Sequence, residues 1–131
     1  MIGYVTLGTN DLDKAAAFYD ALLGEIGAGR FMEQENYFIA WSVSPEAPGI
    51  AVSIPFNKEA ATVGNGTMVA LTVESPEQVN ALHAKALELG GTTEGDPGFR
   101  PAENESGFYG GYFRDLDGNK LNAFCMVSEE S

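Results

Sequence analysis

The sequence predicts an α+β fold of two βαβββ modules, with mostly antiparallel curved sheets forming a cleft and helices on the outside. Three observations support this prediction. The chain of 131 residues is long enough for one hydrophobic core but too short for two independent domains. In each half, a short strand-like run precedes a helix-like run. The two halves also align at an offset of 64 residues, which places Tyr4 over Met68 and Phe18 over Leu82.

The first module is predicted over residues 1–57. Its opening strand runs into a helix-start signal at Asn10 and Asp11, because short polar side chains accept hydrogen bonds from the free amides of a first helical turn. Apolar residues at helical spacing predict a helix over residues 12–23. Two strand-like runs follow, at residues 37–43 and 50–56, with a proline-containing turn between them.

The second module is predicted over residues 67–128, after a linker at residues 58–66, and the whole chain forms one domain. Ser75 is a suitable N-cap before Pro76, since proline is tolerated in the first helical turn, and the helix is expected to end near residue 89. After a stretch rich in glycine and proline, strands at 107–114 and 120–127 flank a turn.

Charge and composition exclude several classes of partner. Nineteen acidic residues against seven basic ones give a formal charge of -12, and such a surface repels phosphate backbones and anionic membranes. We therefore expect no nucleic acid and no membrane partner. A single cysteine, Cys125, cannot form an internal disulfide, and the first residues carry no secretory pattern, so a cytoplasmic location is expected.

Few side chains are suited to covalent catalysis. The only histidine, His83, lies on the predicted second helix and is expected to be structural or exposed, so a Ser-His-Asp arrangement has no support. Cys125 is in phase with Leu121 and should face the helices. The segment 115–119 is similar to a calcium loop but lacks its downstream Glu, and we interpret it as a hairpin turn.

Two motifs carry a family resemblance. The opening segments 5–12, 17–20 and 22–24, and the closing segment 109–121, resemble the first module and the last hairpin of the vicinal oxygen chelate superfamily, which includes glyoxalases, bleomycin resistance proteins and dioxygenases. Leu116 stands where the family usually has proline. Together with the repeat, the resemblance covers nearly the whole chain. It implies the cleft described above and a homodimer.

The resemblance also implies where metal-dependent members hold a divalent ion. Two residues from each module, typically His or Glu, would face the cleft. Three of those positions are Tyr4, Met68 and Asn122 here, and the strand at 50–56 contains no His or carboxylate to serve as the fourth. We therefore expect no metal ligands and no cofactor.

Side-chain alternation gives the candidate cleft residues. If the apolar sets Val5 and Leu7, Val69 and Leu71, and Leu121 and Ala123 face the helices, their neighbours face the cleft. Alternation thus gives Tyr4, Thr6, Met68, Asn122 and Phe124 as candidate ligand-binding residues. Trp41, Tyr109 and Tyr112 are further candidates, because only one face of each strand can meet the helices and some of the aromatic residues must line the cleft. The candidate cation is Arg114 or Arg100. Two alternatives stay open: Met68 as a plain packing residue, and Arg114 as the ion-pair partner of a surface acid such as Asp115. The segment 98–107 is a candidate lid.

Three functional hypotheses follow. The first is a metal-independent binding protein for a small organic molecule. The second is an antibiotic-sequestering protein of the bleomycin-resistance type, in which the acidic charge attracts a cationic drug. The third is a glyoxalase-like lyase or isomerase, or a dioxygenase, with a displaced metal site. The sequence assigns no catalytic residue in any of them.

Overall fold

The computed structural model describes residues 1–129, and its element order is βαβββ repeated twice. This order confirms the predicted fold class. The elements are β1 (Tyr4–Gly8), α1 (Leu12–Gly24), β2 (Gly29–Gln34), β3 (Phe38–Ser42), β4 (Gly49–Ser53), β5 (Val69–Thr72), α2 (Pro76–Glu88), β6 (Thr92–Phe99), β7 (Gly107–Arg114) and β8 (Lys120–Val127).

Each module forms its own four-stranded sheet. The strand orders are β1-β4-β3-β2 and β5-β8-β7-β6, so β1 and β5 are equivalent edge strands. In each sheet one pair is parallel and two pairs are antiparallel. The parallel registers place Val5 beside Ile50 in the first sheet and Val69 beside Leu121 in the second. The sheets therefore repeat the same topology.

The hydrophobic core lies between the sheets and the two helices. As predicted from alternation, Leu7, Leu121 and Ala123 are buried in this core, and Val5, Val69 and Leu71 pack against it half-buried. The largest fully buried side chains include those of Trp41, Tyr19, Phe18, Phe113, Leu22, Leu82 and Val79. Burial of this apolar surface is the main favourable contribution to folding. The opposite face of each sheet is left free of helices.

Both predicted helix starts are confirmed. The side chain of Asp11 accepts a hydrogen bond from the Lys14 amide at 3.1 Å, and that of Ser75 accepts one from the Gln78 amide at 3.2 Å. Each bond satisfies an amide that the helix itself leaves unpaired.

Two strands were not predicted from the sequence, and both are sheet edges. In β2 every residue is exposed, so it shows no alternation of apolar and polar residues. In β6 the glycines and Pro97 suppress the strand signal, since proline within sheets is confined to edges and bulges. The register of β6 along β7 also shifts twice. In addition, β4 ends at Ser53, three residues earlier than predicted.

The predicted turn at residues 115–119 is confirmed, and it joins the modules. The Tyr19 hydroxyl of α1 donates to Asp115 Oδ2 at 2.6 Å, and Asn119 Nδ2 donates to the Gly8 carbonyl at 3.0 Å. Burial, with the Asp115 carboxylate as a second cause, raises the pKa of Tyr19 well above its usual range. Tyr19 therefore stays a neutral donor, and the two modules share a buried polar contact.

Across residues 1–129, neither helix has both the length and the apolar character required to cross a membrane.

Candidate functional site

The helix-free face of each sheet, which we call its concave face, contains most of the candidate binding residues. In the first module this face carries Tyr4 and Thr6 of β1, Phe38 of β3 and Ser53 of β4. Cross-strand pairing places Phe38 beside Ser53. Tyr4 is 55% exposed, which leaves its ring and hydroxyl available to a ligand.

A cavity of 540 Å³ lies on this face, and we call it the first-module cavity. Its size falls within the range of small-molecule sites. Its walls combine apolar side chains with hydroxyl groups, and none of the lining residues is charged. They are Tyr4, Thr6, Gly8, Tyr37, Phe38, Ser53, Ile54, Pro55, Phe56, Asn57, Ala60, Ala61 and Thr62.

Part of this cavity was missed by sequence reasoning. Residues 54–62, which follow β4 without forming a helix or strand, supply about half of the lining. The sequence signal that was available is Phe56, an aromatic residue beside Pro55 in a loop, and its side chain is 88% exposed. A large exposed aromatic side chain beside a cavity is typical of a binding surface.

The concave face of the second module differs in chemistry. The structure places Tyr112 and Arg114 of β7 and Phe124 of β8 on it, as predicted. Phe124 stacks on Phe108, with ring centres 5.3 Å apart and planes 9° from parallel. Arg114 Nε donates to Glu94 at 3.0 Å, so its acidic partner is Glu94 and not the suggested Asp115.

Asn122 lies on this face but is only 1% exposed. Its Nδ2 donates to the carbonyls of Gly111 and Ala123, both at 3.3 Å. A side chain at Gly110 would collide with Phe108 and Asn122, which shows that the Phe108 ring lies over this position and covers the amide. Asn122 is therefore part of the sheet's own packing and does not present its amide to a ligand.

Trp41 and Tyr109 do not lie on the concave faces, contrary to the prediction. Trp41 is 1% exposed, packs on Tyr19 and donates its indole N–H to Asp20 of α1 at 2.8 Å. The Tyr109 hydroxyl donates to Asn80 of α2 at 2.8 Å. Both rings point to the helices. Alternation did not predict this orientation, because aromatic side chains lie on both faces of β3 and β7.

Met68 lies between two concavities: it lines a cavity of 490 Å³ together with Arg114 and Lys120, and it also borders a second, more apolar groove. Its side chain is 41% exposed beside this groove of 550 Å³, which we call the intermodule groove. Residues of both modules line this groove, among them Ile2, Val5, Ile26, Met68 and Leu71. The predicted site residues are thus divided among the first-module cavity, the second module's concave face with Met68 beside it, and, for Trp41 and Tyr109, the helix side of the sheets.

The three residues that the resemblance assigns to the metal positions are chemically poorly suited to a divalent ion. Tyr4 offers a phenol, Met68 a thioether, and Asn122 a covered amide, whereas such ions are held by imidazole and carboxylate donors. Within residues 1–129, no group of three or more His, Cys, Asp or Glu side chains is arranged to hold a metal ion.

The reactive side chains lie in structural positions. His83 is 5% exposed, and its Nε2 lies 2.9 Å from the Thr93 hydroxyl. Burial lowers the pKa of His83, against smaller opposing effects of Asp96 and of a hydrogen bond to the Tyr112 backbone. Cys125 is buried against the helix layer, as predicted, and burial raises the pKa of its thiol. Neither group faces the cavity.

Solved structures show the same fold. The chain is 40% identical to a glyoxalase/bleomycin resistance protein from Albidiferax ferrireducens T118, with a TM-score of 0.84 over 95% of this chain and 98% of that one. It is 26% identical to a hypothetical protein of S. aureus, with a TM-score of 0.68 over 93% and 94% of the two chains. Lactoylglutathione lyase from Agrobacterium tumefaciens, at 17% identity, is similar in fold, with a TM-score of 0.68 over 95% and 92%.

No curated protein matches the chain. Residues 1–123 match the model of the Glyoxalase/Bleomycin resistance protein/Dioxygenase superfamily, which agrees with the repeated βαβββ topology and with the 40% identical relative. The chain belongs to this superfamily.

Proposed function

We propose that this protein binds a small, uncharged organic molecule in the first-module cavity, without a metal ion. The observation that carries the proposal is the lining of that cavity, which combines aromatic and aliphatic walls with the hydroxyls of Tyr4, Thr6 and Ser53. Apolar walls with a few polar groups are the usual composition of small-molecule sites. The hydroxyls donate and accept hydrogen bonds and so orient a ligand that carries a carbonyl or hydroxyl group.

The experiment is a thermal-shift screen of neutral aromatic and heterocyclic compounds, followed by titration of the hits. Tyr4→Ala and Phe38→Ala should weaken binding about tenfold, the effect of losing one large buried contact. Leu87→Ala is the matched control, because Leu87 is exposed on α2 and does not line the cavity. Unchanged ligand affinity in both Tyr4→Ala and Phe38→Ala would show that the ligand binds elsewhere and would overturn the proposal.

Metal independence is tested separately. The protein is incubated with Fe(II), Mn(II), Ni(II) and Zn(II), desalted and submitted to elemental analysis. The proposal expects no metal to be retained in stoichiometric amount, since Tyr4, Met68 and Asn122 are poor ligands. Retention of one ion per chain would contradict it and redirect the search to a displaced site with lyase or dioxygenase chemistry.

We also propose that the protein is a homodimer assembled through the edge strands. Both β1 and β5 have an unpaired side within the described residues, and Ile2 and Met68 beside them are 55% and 41% exposed. The intermodule groove next to these strands is lined mainly by apolar side chains. Unpaired edges and exposed apolar residues are features that a second subunit covers.

Sedimentation velocity tests the dimer. A dimer at micromolar concentration is expected, and Met68→Lys should shift it towards monomer, because it places a charge on the apolar groove. Met126→Lys is the control, since Met126 is also exposed but does not line this groove. A monomeric wild-type protein at all concentrations would exclude the dimer while leaving the first-module cavity as a site.

The charge of -12 favours one alternative, a cationic antibiotic held by sequestration. A cationic glycopeptide of the bleomycin type is therefore included in the screen. Tight binding of that compound without turnover would support sequestration of a cationic antibiotic and contradict the proposal of an uncharged ligand.

A further inference from the structure

The second module carries a group of basic side chains on its concave face. Arg114 and Lys120 are direct cross-strand partners at the end of β7 and the start of β8. Arg100, which follows β6, lies over the ring of Tyr112 on the same face. Three of the seven basic residues of this acidic chain are thus on one side of one sheet. We call Arg100, Tyr112, Arg114 and Lys120 the basic cluster.

Tyr112 is the centre of the cluster. The Arg100 guanidinium lies 5.6 Å from the centre of its ring, and the Lys120 ammonium lies 5.5 Å from the same point. Contacts of this kind hold a cation by the electron-rich face of the ring without neutralising its charge. Both cations therefore keep their capacity for an anionic partner.

The backbone leaves room for Arg100 at this position. A side chain added at Gly95 would lie 3.3 Å from its Nη2, and one at Gly98 would lie 3.2 Å from its Nη1. Its Nη2 donates to the Asp96 carbonyl at 2.8 Å, and its Nη1 donates to the Phe99 carbonyl at 3.3 Å. The guanidinium is thus oriented by neutral backbone groups, which is a pre-organised arrangement.

Acidic partners compensate the cluster only in part. Within residues 1–129, Arg114 pairs with Glu94, while neither Arg100 nor Lys120 has a carboxylate oxygen within 4.0 Å. Glu94 thus compensates Arg114, while Arg100 and Lys120 remain the two cations of the cluster that an oxyanion can pair with.

An apolar surface adjoins the cluster on the same face. Phe124 is four residues along β8 from Lys120 and stacks on Phe108. Tyr112 is opposite Asn122, so Phe124 is its diagonal neighbour across the two strands, at a spacing of about 7–8 Å. The two cations that lie by the Tyr112 ring therefore adjoin the aromatic pair. A ligand with an anionic group and an aromatic body would contact both.

We infer that the basic cluster binds the carboxylate or phosphate of a small aromatic compound, through Arg100 and Lys120, with Phe124 against the aromatic ring. This site lies outside the first-module cavity and does not depend on the function proposed for it. The overall charge of -12 does not prevent it, because at physiological ionic strength charges more than about 8 Å away are largely screened.

The test is NMR titration of ¹⁵N-labelled protein with phenylacetate, phenyl phosphate, inorganic phosphate and the neutral isostere phenylacetamide. We expect phenylacetate or phenyl phosphate to shift the amides of Tyr112, Lys120 and Phe124. Arg100→Gln and Lys120→Gln should each weaken binding about tenfold or more, since each removes a charge-assisted contact. Lys120→Arg should retain binding, because it keeps the positive charge. Lys14→Gln is the charge control, because Lys14 is an exposed residue of α1 outside the cluster.

Four results would overturn the inference. They are equal binding of phenylacetamide and phenylacetate, unchanged affinity in Arg100→Gln and Lys120→Gln, no response to any anion, and shifts confined to Tyr4, Thr6 and Ser53. The last result would support the first-module cavity while removing the basic cluster, so the two proposals fail separately. Inorganic phosphate binding as tightly as phenyl phosphate would exclude the contribution of Phe124. Thermal unfolding of each variant verifies that it is folded.

Discussion

Tyr19 on α1 and His83 on α2 are 64 residues apart, the offset of the repeat, and both are buried against their sheets. Tyr19 donates to Asp115, which belongs to the other module. His83 lies 2.9 Å from Thr93, which belongs to its own. The repeat therefore places a polar ring at the same point of each helix, but only the ring in α1 connects the modules.

The concave faces differ even more. The first-module cavity has no charged lining residue, whereas the second module presents the basic cluster and a pair of stacked phenylalanines. The helix side of each sheet has kept the apolar pattern, because both modules need the same core. Residues facing away from the core are not bound by this requirement, so the chemistry of the two concave faces differs although their topology is the same.

The largest expected effect concerns the turn that joins the modules. Asp115 accepts hydrogen bonds from Tyr19 Oη, the amides of Asp117 and Asn119, and Asn119 Nδ2. Asp115→Ala should lower the free energy of unfolding by about 3 kcal/mol or more, because it leaves a buried hydroxyl and several donors unpaired. Urea unfolding followed by far-UV circular dichroism measures this change.

The equivalent turn of the first module is the matched control. There the Ser42 hydroxyl contacts only nearby backbone: it donates to the Ser44 carbonyl at 2.6 Å, has the Ala47 and Pro48 carbonyls at 3.2 and 3.4 Å, and accepts from the Ser44 amide at 3.3 Å. Ser42→Ala should lower the free energy of unfolding by about 1 kcal/mol, because these neutral bonds do not join the modules and water can replace them. An equal decrease in the free energy of unfolding in Asp115→Ala and Ser42→Ala would show that the contact between modules contributes no more to stability than a local turn.

A second, intermediate effect separates the helix side from the concave face. Trp41→Phe should lower the free energy of unfolding by about 1–2 kcal/mol, since it removes the hydrogen bond to Asp20 and buried volume. Tyr109→Phe should cost less than about 1 kcal/mol, because its hydrogen bond to Asn80 is exposed. Ligand affinity should be unchanged in both variants. A tenfold loss of ligand affinity in Trp41→Phe would show that Trp41 contributes to the binding site after all.

The smallest effects are on pH dependence, and they have opposite signs in the two modules. The folded pKa of His83 is lowered below 6.5, so its contribution is fully present above about pH 6.5 and is lost as the pH falls. The folded pKa of Tyr19 is raised above 10.0, so its contribution is present below about pH 10 and is lost as the pH rises.

Urea unfolding between pH 5 and 11 tests both signs. His83→Gln should abolish the loss between pH 7 and 5, because His83 is the only histidine in the chain. Tyr19→Phe should reduce the loss above pH 10 and leave the acid side unchanged. If the free energy of unfolding of His83→Gln still decreases between pH 7 and 5, carboxylates and not His83 cause that decrease.

How much of the site was predictable depends on the pattern that marks each residue. Tyr4, Thr6, Asn122 and Phe124 were placed on one face because alternation with buried neighbours is a local property of a strand. The face of Tyr112 and Arg114 follows only from their pairing with β8. Alternation did not orient Trp41, since Phe38 and Trp41 lie on opposite faces of the same apolar strand. Residues 54–62 were missed because a loop has no period that shows what it covers.

The sequence alone determined the two modules, both helices with their caps, and the face of each inner strand that enters the core. These features follow from short-range periodicity and from an internal repeat, which are visible without a partner strand. Only the tertiary structure decided that β2 and β6 are strands, that Asp115 receives the Tyr19 hydroxyl, and that Arg100 and Lys120 meet at Tyr112. Each depends on edge pairing, a bulge or a contact between distant segments, and those contacts exist only once the chain has folded.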